Sequence, residues 1–212
     1  MPHAPAFFLP GWGAPAELYV PGLPPGWNPL DPPGFRGGAD LETNARWVRE
    51  RLEAEGPAAL GGHSMGGALA VLVAAAHPEL VSRLILFSPA GLPLTKPMRT
   101  SARDFLAQLK GGLYPPVHVA RAARELMRAP RSALALARRL RGLDLGAEMT
   151  RVRQAGIPVV VVGCATDTLV TTAHCRAAAS LLGGAYREVG GPGGHMWMLG
   201  SWPRLRSELA SQ

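Results

Sequence analysis

Cysteine is almost missing from this chain. Cys164 and Cys175 are the two thiols among 212 residues. They allow one disulfide at most and stand outside any metal-ligand spacing. A disulfide scaffold and a thiolate metal centre are therefore excluded, and buried free thiols are expected. Charge is scarce too: charged residues make up 17% against 47% hydrophobic, a balance that excludes disorder and supplies a sizeable core. Long hydrophobic runs are absent. The longest, such as ALAVLVAAA at 68–76, fall far below the roughly 20 residues that a bilayer-spanning helix needs. The opening MPHAPAFFLPGWG shows no basic leader and no cleavage pattern, so a cytoplasmic protein without a membrane partner is expected. Lysine is the last scarcity: 20 of the 22 basic residues are arginine.

At this length one domain with an inserted sub-structure is expected. The net charge of +7 is unevenly placed: residues 92–150 hold eleven basic and four acidic residues, and the remainder is balanced. The positive segment reads either as a docking face for an acidic acyl carrier or an anionic substrate, or as the solvated side of Arg-rich helices. No motif supports a nucleic-acid partner.

The apolar pattern alternates between strands and helices. Strands are expected at AFFLPG (6–11), weakly around WNPLDPPG (27–34), at AALGG (58–62), SRLILFSPAG (82–91), IPVVVVGCATD (157–167) and AYREVG (185–190). The run at 157–167 is apolar on both faces, as in a central parallel strand. Between 40 and 56, Asp40 offers an N-cap and Gly56 a stop, and Leu41, Ala45, Val48 and Leu52 step by three and four, which predicts an amphipathic helix. Further helices are expected at 67–77, 171–183 and 202–210, and residues 13–40 read mostly as loop. The fold class is α/β, a mostly parallel sheet covered on both faces. Residues 92–150 break the rhythm with short helices near 100–110, 117–129 and 131–142, an insertion lying over the sheet edge.

The strand at 58–62 and the helix at 67–77 are joined by GGHSMGG (61–67). A phosphate-binding P-loop needs Lys and Ser or Thr after its last glycine, and Gly67-Ala68 follow instead. A dinucleotide fingerprint needs glycine where Ser64 stands. What fits is Gly62-His63-Ser64-Met65-Gly66, a G-x-S-x-G turn between strand and helix. Such a turn strains its central residue and needs glycines two positions away on either side. It holds the Ser64 hydroxyl at a helix N-terminus, where developing negative charge is favoured.

A nucleophilic serine needs a base, and the base an orienting acid. In strand–turn–helix sites of this kind they follow in the order Ser, acid, His. Asp167 ends the strongest strand, and His195 lies in GGPGGHMWML just past the last one. The other histidines compete weakly: His63 adjoins the serine and should point away from a base's place. His3, His77, His118 and His174 read as structural, and Asp31 as a turn residue. For the oxyanion, the Met65 amide is one candidate donor and the Trp12 amide in LPGWG (9–13) the other. The same turn also reads simply as a tight surface loop with an aromatic. Leu169, Met196 and Trp197 suggest an apolar substrate pocket.

Taken together, FFLPGWG, NPLDPPGF, LGGHSMGGALAVLVAAAHPE, LILFSPAG, IPVVVVGCATDTLV and GGPGGHMW resemble the α/β-hydrolase superfamily. The resemblance implies a core of residues 1–91 and 151–212 with a helical cap at 92–150. It also implies Ser64 as nucleophile, His195 as base, Asp167 as its partner, and the Trp12 and Met65 amides as oxyanion hole, with no metal or organic cofactor. LPGWG and GHSMGG look most like small carboxylesterases, including the carrier-protein methyl esterase of biotin synthesis, and like the triad-bearing synthase of menaquinone biosynthesis. Pro10 stands where the superfamily usually has His. The sheet is expected to have about six strands, because the match starts at the first run. The expectation for function is hydrolysis of a small-molecule ester through an acyl-enzyme. Thioester cleavage, a triad-using lyase or synthase, and a non-catalytic binding protein are the alternatives.

Overall fold

Six short runs, the middle four of them largely apolar and buried and the outer two mixed, form the strands of one sheet: β1 (Ala6–Leu9), β2 (Trp27–Pro29), β3 (Ala58–His63), β4 (Val81–Phe87), β5 (Val159–Cys164) and β6 (Ala185–Val189). The computed structural model describes residues 4–34, 36, 40–94, 96–97, 99–100, 103–104, 107, 116–191 and 193–210. The helix expected near 100–110 lies mostly outside the described residues. The strand order is β2-β1-β3-β4-β5-β6, and every pairing is parallel. Parallel strands need covered faces, and the side chains show the division with a period of two. Phe7, Leu9, Leu84, Leu86, Val159 and Val161 face one core cluster, while Phe8, Ile85, Phe87, Val162 and Cys164 face the other.

The first face is covered by α1 (Leu41–Glu55), α2 (Met65–Ala76), α4 (Pro130–Arg141), α5 (Gly146–Gln154) and α6 (Thr172–Leu182), whose apolar residues join the first cluster. Between β4 and α4 lies α3 (Pro116–Arg128). The second face is covered by α7 (Trp202–Ala210) and by two 3-10 segments, Ala16–Gly22 and Gly194–Gly200. Residue 150, the expected return to the core, falls inside α5, which packs on α2 and α6.

α1 begins where Asp40 accepts a hydrogen bond from the Thr43 amide at 2.8 Å. Its inward face differs in one position from the apolar pattern: Asn44 is fully buried and Ala45 only partly. The Asn44 amide is satisfied there, donating to the Gly34 and Asp40 carbonyls and accepting from the Gly34 amide, so its burial costs little. The turn at 16–22 escaped the sequence reading because Pro15 and Pro21 break up any period, yet Leu18 and Tyr19 are buried there. Cys164 and Cys175 are buried free thiols.

The chain runs from β1 outward to β2, then returns to lay β3 on the other side of β1. The winding therefore reverses between β1 and β3: the chain leaves β1 for the second face and β3 for the first. In open parallel sheets this is where a crevice forms and ligands bind.

Candidate active site

β3 runs to His63 and α2 starts at Met65, so Ser64 alone makes the turn. Its φ of 52° and ψ of −112° put a non-glycine residue in the left-handed region, a strain of about 1–3 kcal/mol. Hydrogen bonds hold the strained peptide: the Ser64 amide donates to the Phe87 carbonyl at 3.0 Å, and its carbonyl accepts from the Ala68 and Ala90 amides. The flanking glycines are forced by close backbone approach. A Cβ on Gly62 would lie 2.5 Å from the Gly66 carbonyl carbon, and one on Gly66 would lie 2.2 Å from the Leu9 oxygen.

Asp167 and His195 come from the loops after β5 and β6 and meet in a buried hydrogen bond, His195 Nδ1 to Asp167 Oδ2 at 2.8 Å. The other carboxylate oxygen accepts the Leu169 and Val170 amides at 2.8 and 2.9 Å. Burial alone would raise the Asp167 carboxyl, but the His195 charge and hydrogen bond and the Leu169 amide outweigh it and hold the group below its usual range. Because a carboxylate only accepts, Nδ1 of His195 carries the proton and Nε2 is left as the basic nitrogen. Leu169, expected in the pocket, meets Asp167 through its backbone amide.

The loop after β1 is a tight turn in which the Ala14 amide donates to the Gly11 carbonyl at 3.1 Å, with Gly13 at φ 71°. It abuts the serine: a Cβ on Gly11 would lie 3.6 Å from Ser64 Cβ. Trp12 sits half-buried in this turn, and the Met65 amide opens α2. A cavity next to the loop is lined by Gly11, Gly13, Met65, Asp31, Arg36 and Arg121, among others. The two arginines in that wall are ion-paired, Arg36 with Asp31 and Arg121 with Glu17. Met196 and Trp197 are buried in the second core cluster, the Trp197 ring 6.2 Å from Phe87.

Three partners of this site escaped the sequence reading. Thr166 ties the two loops together, its hydroxyl donating to the Gly191 carbonyl at 2.9 Å and accepting from the Gly194 amide at 3.3 Å. His63, expected to be structural, packs its side chain against His195: its Nε2 lies 3.0 Å from the His195 carbonyl oxygen. Tyr19 meets the other ring nitrogen at 2.8 Å. The signal for His63 was its place, a polar residue ending an otherwise apolar strand. Elsewhere, His77 pairs with Glu79 and His174 bonds the Leu92 carbonyl, while His3 and the His118 side chain lie outside the described residues.

Residues 38–185 match the family described as Hydrolase_4, serine aminopeptidase, S33. No curated protein matches the chain in sequence. Among solved structures, the esterase EaEST from Exiguobacterium antarcticum superposes with a TM-score of 0.76 at 18% identity, covering 99% of this chain and 91% of that one. CarC, a serine hydrolase involved in carbazole degradation, superposes at 0.77 with 20% identity, covering 99% and 92%. A lipase-esterase related protein from Clostridium acetobutylicum gives 0.77 at 14% identity, covering 98% and 93%. At these identities the likeness is one of fold.

Proposed function

The chain belongs to the Hydrolase_4 family and is an α/β-hydrolase, and from that premise we propose that it cleaves a carboxylic ester, with Ser64 as nucleophile, His195 as base and Asp167 as orienting acid. The observation that carries this reading is the buried 2.8 Å bond between His195 and Asp167, at the carboxyl ends of the strands, where the strained Ser64 follows β3. His195 Nε2 takes the Ser64 proton as Oγ bonds to the ester carbon. The developing oxyanion is received by the Trp12 and Met65 amides. The alcohol then leaves with the proton from His195. Water, deprotonated by the same nitrogen, attacks the acyl-enzyme and frees Ser64 with release of the acid.

The finer reading is a small carboxylesterase acting on an ester presented by an acidic carrier, the type of the carrier-protein methyl esterase. The net charge of residues 92–150 supports it. Charge reversal at Arg121, Arg124 and Arg128 tests it. It should slow turnover of a carrier-linked ester and spare a small soluble one; equal effects on both would overturn the carrier reading.

The ester reading itself is tested with a p-nitrophenyl ester series from acetate to palmitate, an acyl thioester and an aminoacyl p-nitroanilide, alongside fluorophosphonate labelling. Ester turnover and labelling that both vanish in Ser64→Ala support it. Anilide cleavage without ester cleavage would replace it with a peptidase, and preference for the thioester with a thioesterase. Labelling without turnover on any of these would favour the lyase or synthase alternative.

A further inference from the structure

The buried groups next to His195 form a chain with only one consistent direction. The His195 carbonyl can only accept, so His63 Nε2 donates to it across 3.0 Å. A neutral imidazole then has Nδ1 as acceptor, and the Tyr19 hydroxyl donates to it at 2.8 Å. The hydroxyl oxygen in turn accepts the Gly11 amide at 3.3 Å. Tyr19 and His63 are 0% and 1% exposed, and the His63 ring lies 4.7 Å from the His195 ring. Gly11 is pressed onto the same group, since a Cβ there would lie 2.8 Å from His63 Nδ1. Burial, first, and the nearby His195 push the His63 imidazole down to about 3, so the direction of the chain holds throughout the neutral range.

We infer that Tyr19 and His63 are positioning residues, a buried strut that sets the distance between the loop carrying His195 and the loop carrying Trp12. The inference rests on the triad reading above. Gly11 is one residue before the proposed oxyanion donor, and the bonded carbonyl belongs to the proposed base. Chain segments 44 and 132 residues apart in sequence are thereby joined through one imidazole. Asp167 fixes which His195 nitrogen is basic, and the strut fixes where the loop puts it. A displacement of the order of 1 Å in such a group lowers turnover by about a hundredfold.

The test separates the two bonds. In His63→Gln the side-chain amide can take the Nε2 place and donate to the His195 carbonyl. In His63→Asn it can take only the Nδ1 place, facing Tyr19. Tyr19→Phe removes the hydroxyl and keeps the ring. Steady-state ester hydrolysis is measured for each variant, with the thermal midpoint as a check on folding. The expected result is kcat lowered roughly 10- to 100-fold in His63→Asn and Tyr19→Phe, KM within about twofold, and His63→Gln several-fold more active than His63→Asn. Folded Tyr19→Phe with unchanged kcat, or folded Gln and Asn variants equally impaired, would overturn the strut. The triad reading fails separately, if Ser64→Ala keeps turnover and fluorophosphonate labelling.

Discussion

Helices α2 and α3 are nearly equal in length, 12 and 13 residues, and are held in place in different ways. Nine of the twelve residues of α2 are buried. The helix is apolar all round, as a helix enclosed by neighbours must be. None of the described side chains of α3 is fully buried, and Val117 and Met127 are 68% and 74% exposed. α3 meets the core through the partly buried Val119 and Leu126 and through the exposed Arg121–Glu17 pair. The helix that follows Ser64 is thus fixed by packing, which salt does not screen, and α3 partly by surface charge, which salt does.

The largest expected effect breaks the α2 side. Gly66→Ala forces a Cβ onto the Leu9 carbonyl at 2.2 Å and should abolish cooperative folding or cost several kcal/mol. Gly142→Ala, where an added Cβ meets nothing within 4 Å, should leave the thermal midpoint unchanged. Calorimetry of the pair reads the contrast directly. Next comes Asp167→Asn, which keeps the shape and loses the charge. A drop of about 10⁴-fold in ester turnover is expected by analogy with other serine triads, and turnover within tenfold of the parent would refute the role given to the carboxylate.

Acid should weaken the buried side first. His63 is held neutral by burial, with its value pushed to about 3, whereas in the unfolded chain it protonates near 6.5. The unfolded state then binds more protons between those values, so stability falls as pH drops from about 6.5 toward 3. Asp167, held below its usual value, adds a loss at the acid end as pH falls through its lowered folded value. Denaturant midpoints at stepped pH check this, and His63→Gln should flatten the limb between pH 6.5 and 4. The smallest effect belongs to α3. Glu17→Gln should shift the thermal midpoint by at most about 4 °C, and high salt should erase the difference from the parent.

Much of the framework was legible because apolar periodicity and turn chemistry are local. The run at 157–167 could only be an inner strand, and the glycines at 62 and 66 could only serve a crowded turn. What escaped depends on contacts between distant segments. Asn44 is inside because its amide meets Gly34, and nothing near Asn44 in sequence shows that. Tyr19 sits in a proline-broken stretch that reads as loop, and its partner His63 lies 44 residues away. Thr166 joins two loops 28 residues apart through its hydroxyl, in a position where threonine also suits an ordinary turn. The packing of α5 is of the same kind: the helix is short and mixed in character, and what it meets, α2 and α6, lies far from it in sequence.

The weak strand at the sheet's margin has a consequence of its own. β2 is three residues long and closes on Pro29, which brings no amide hydrogen, and the next amide, that of Leu30, is already spent on the Phe8 carbonyl. An incoming strand would find almost no row of donors to pair with. On that side the sheet ends in a blunt stop, guarded against edge-to-edge aggregation by one proline.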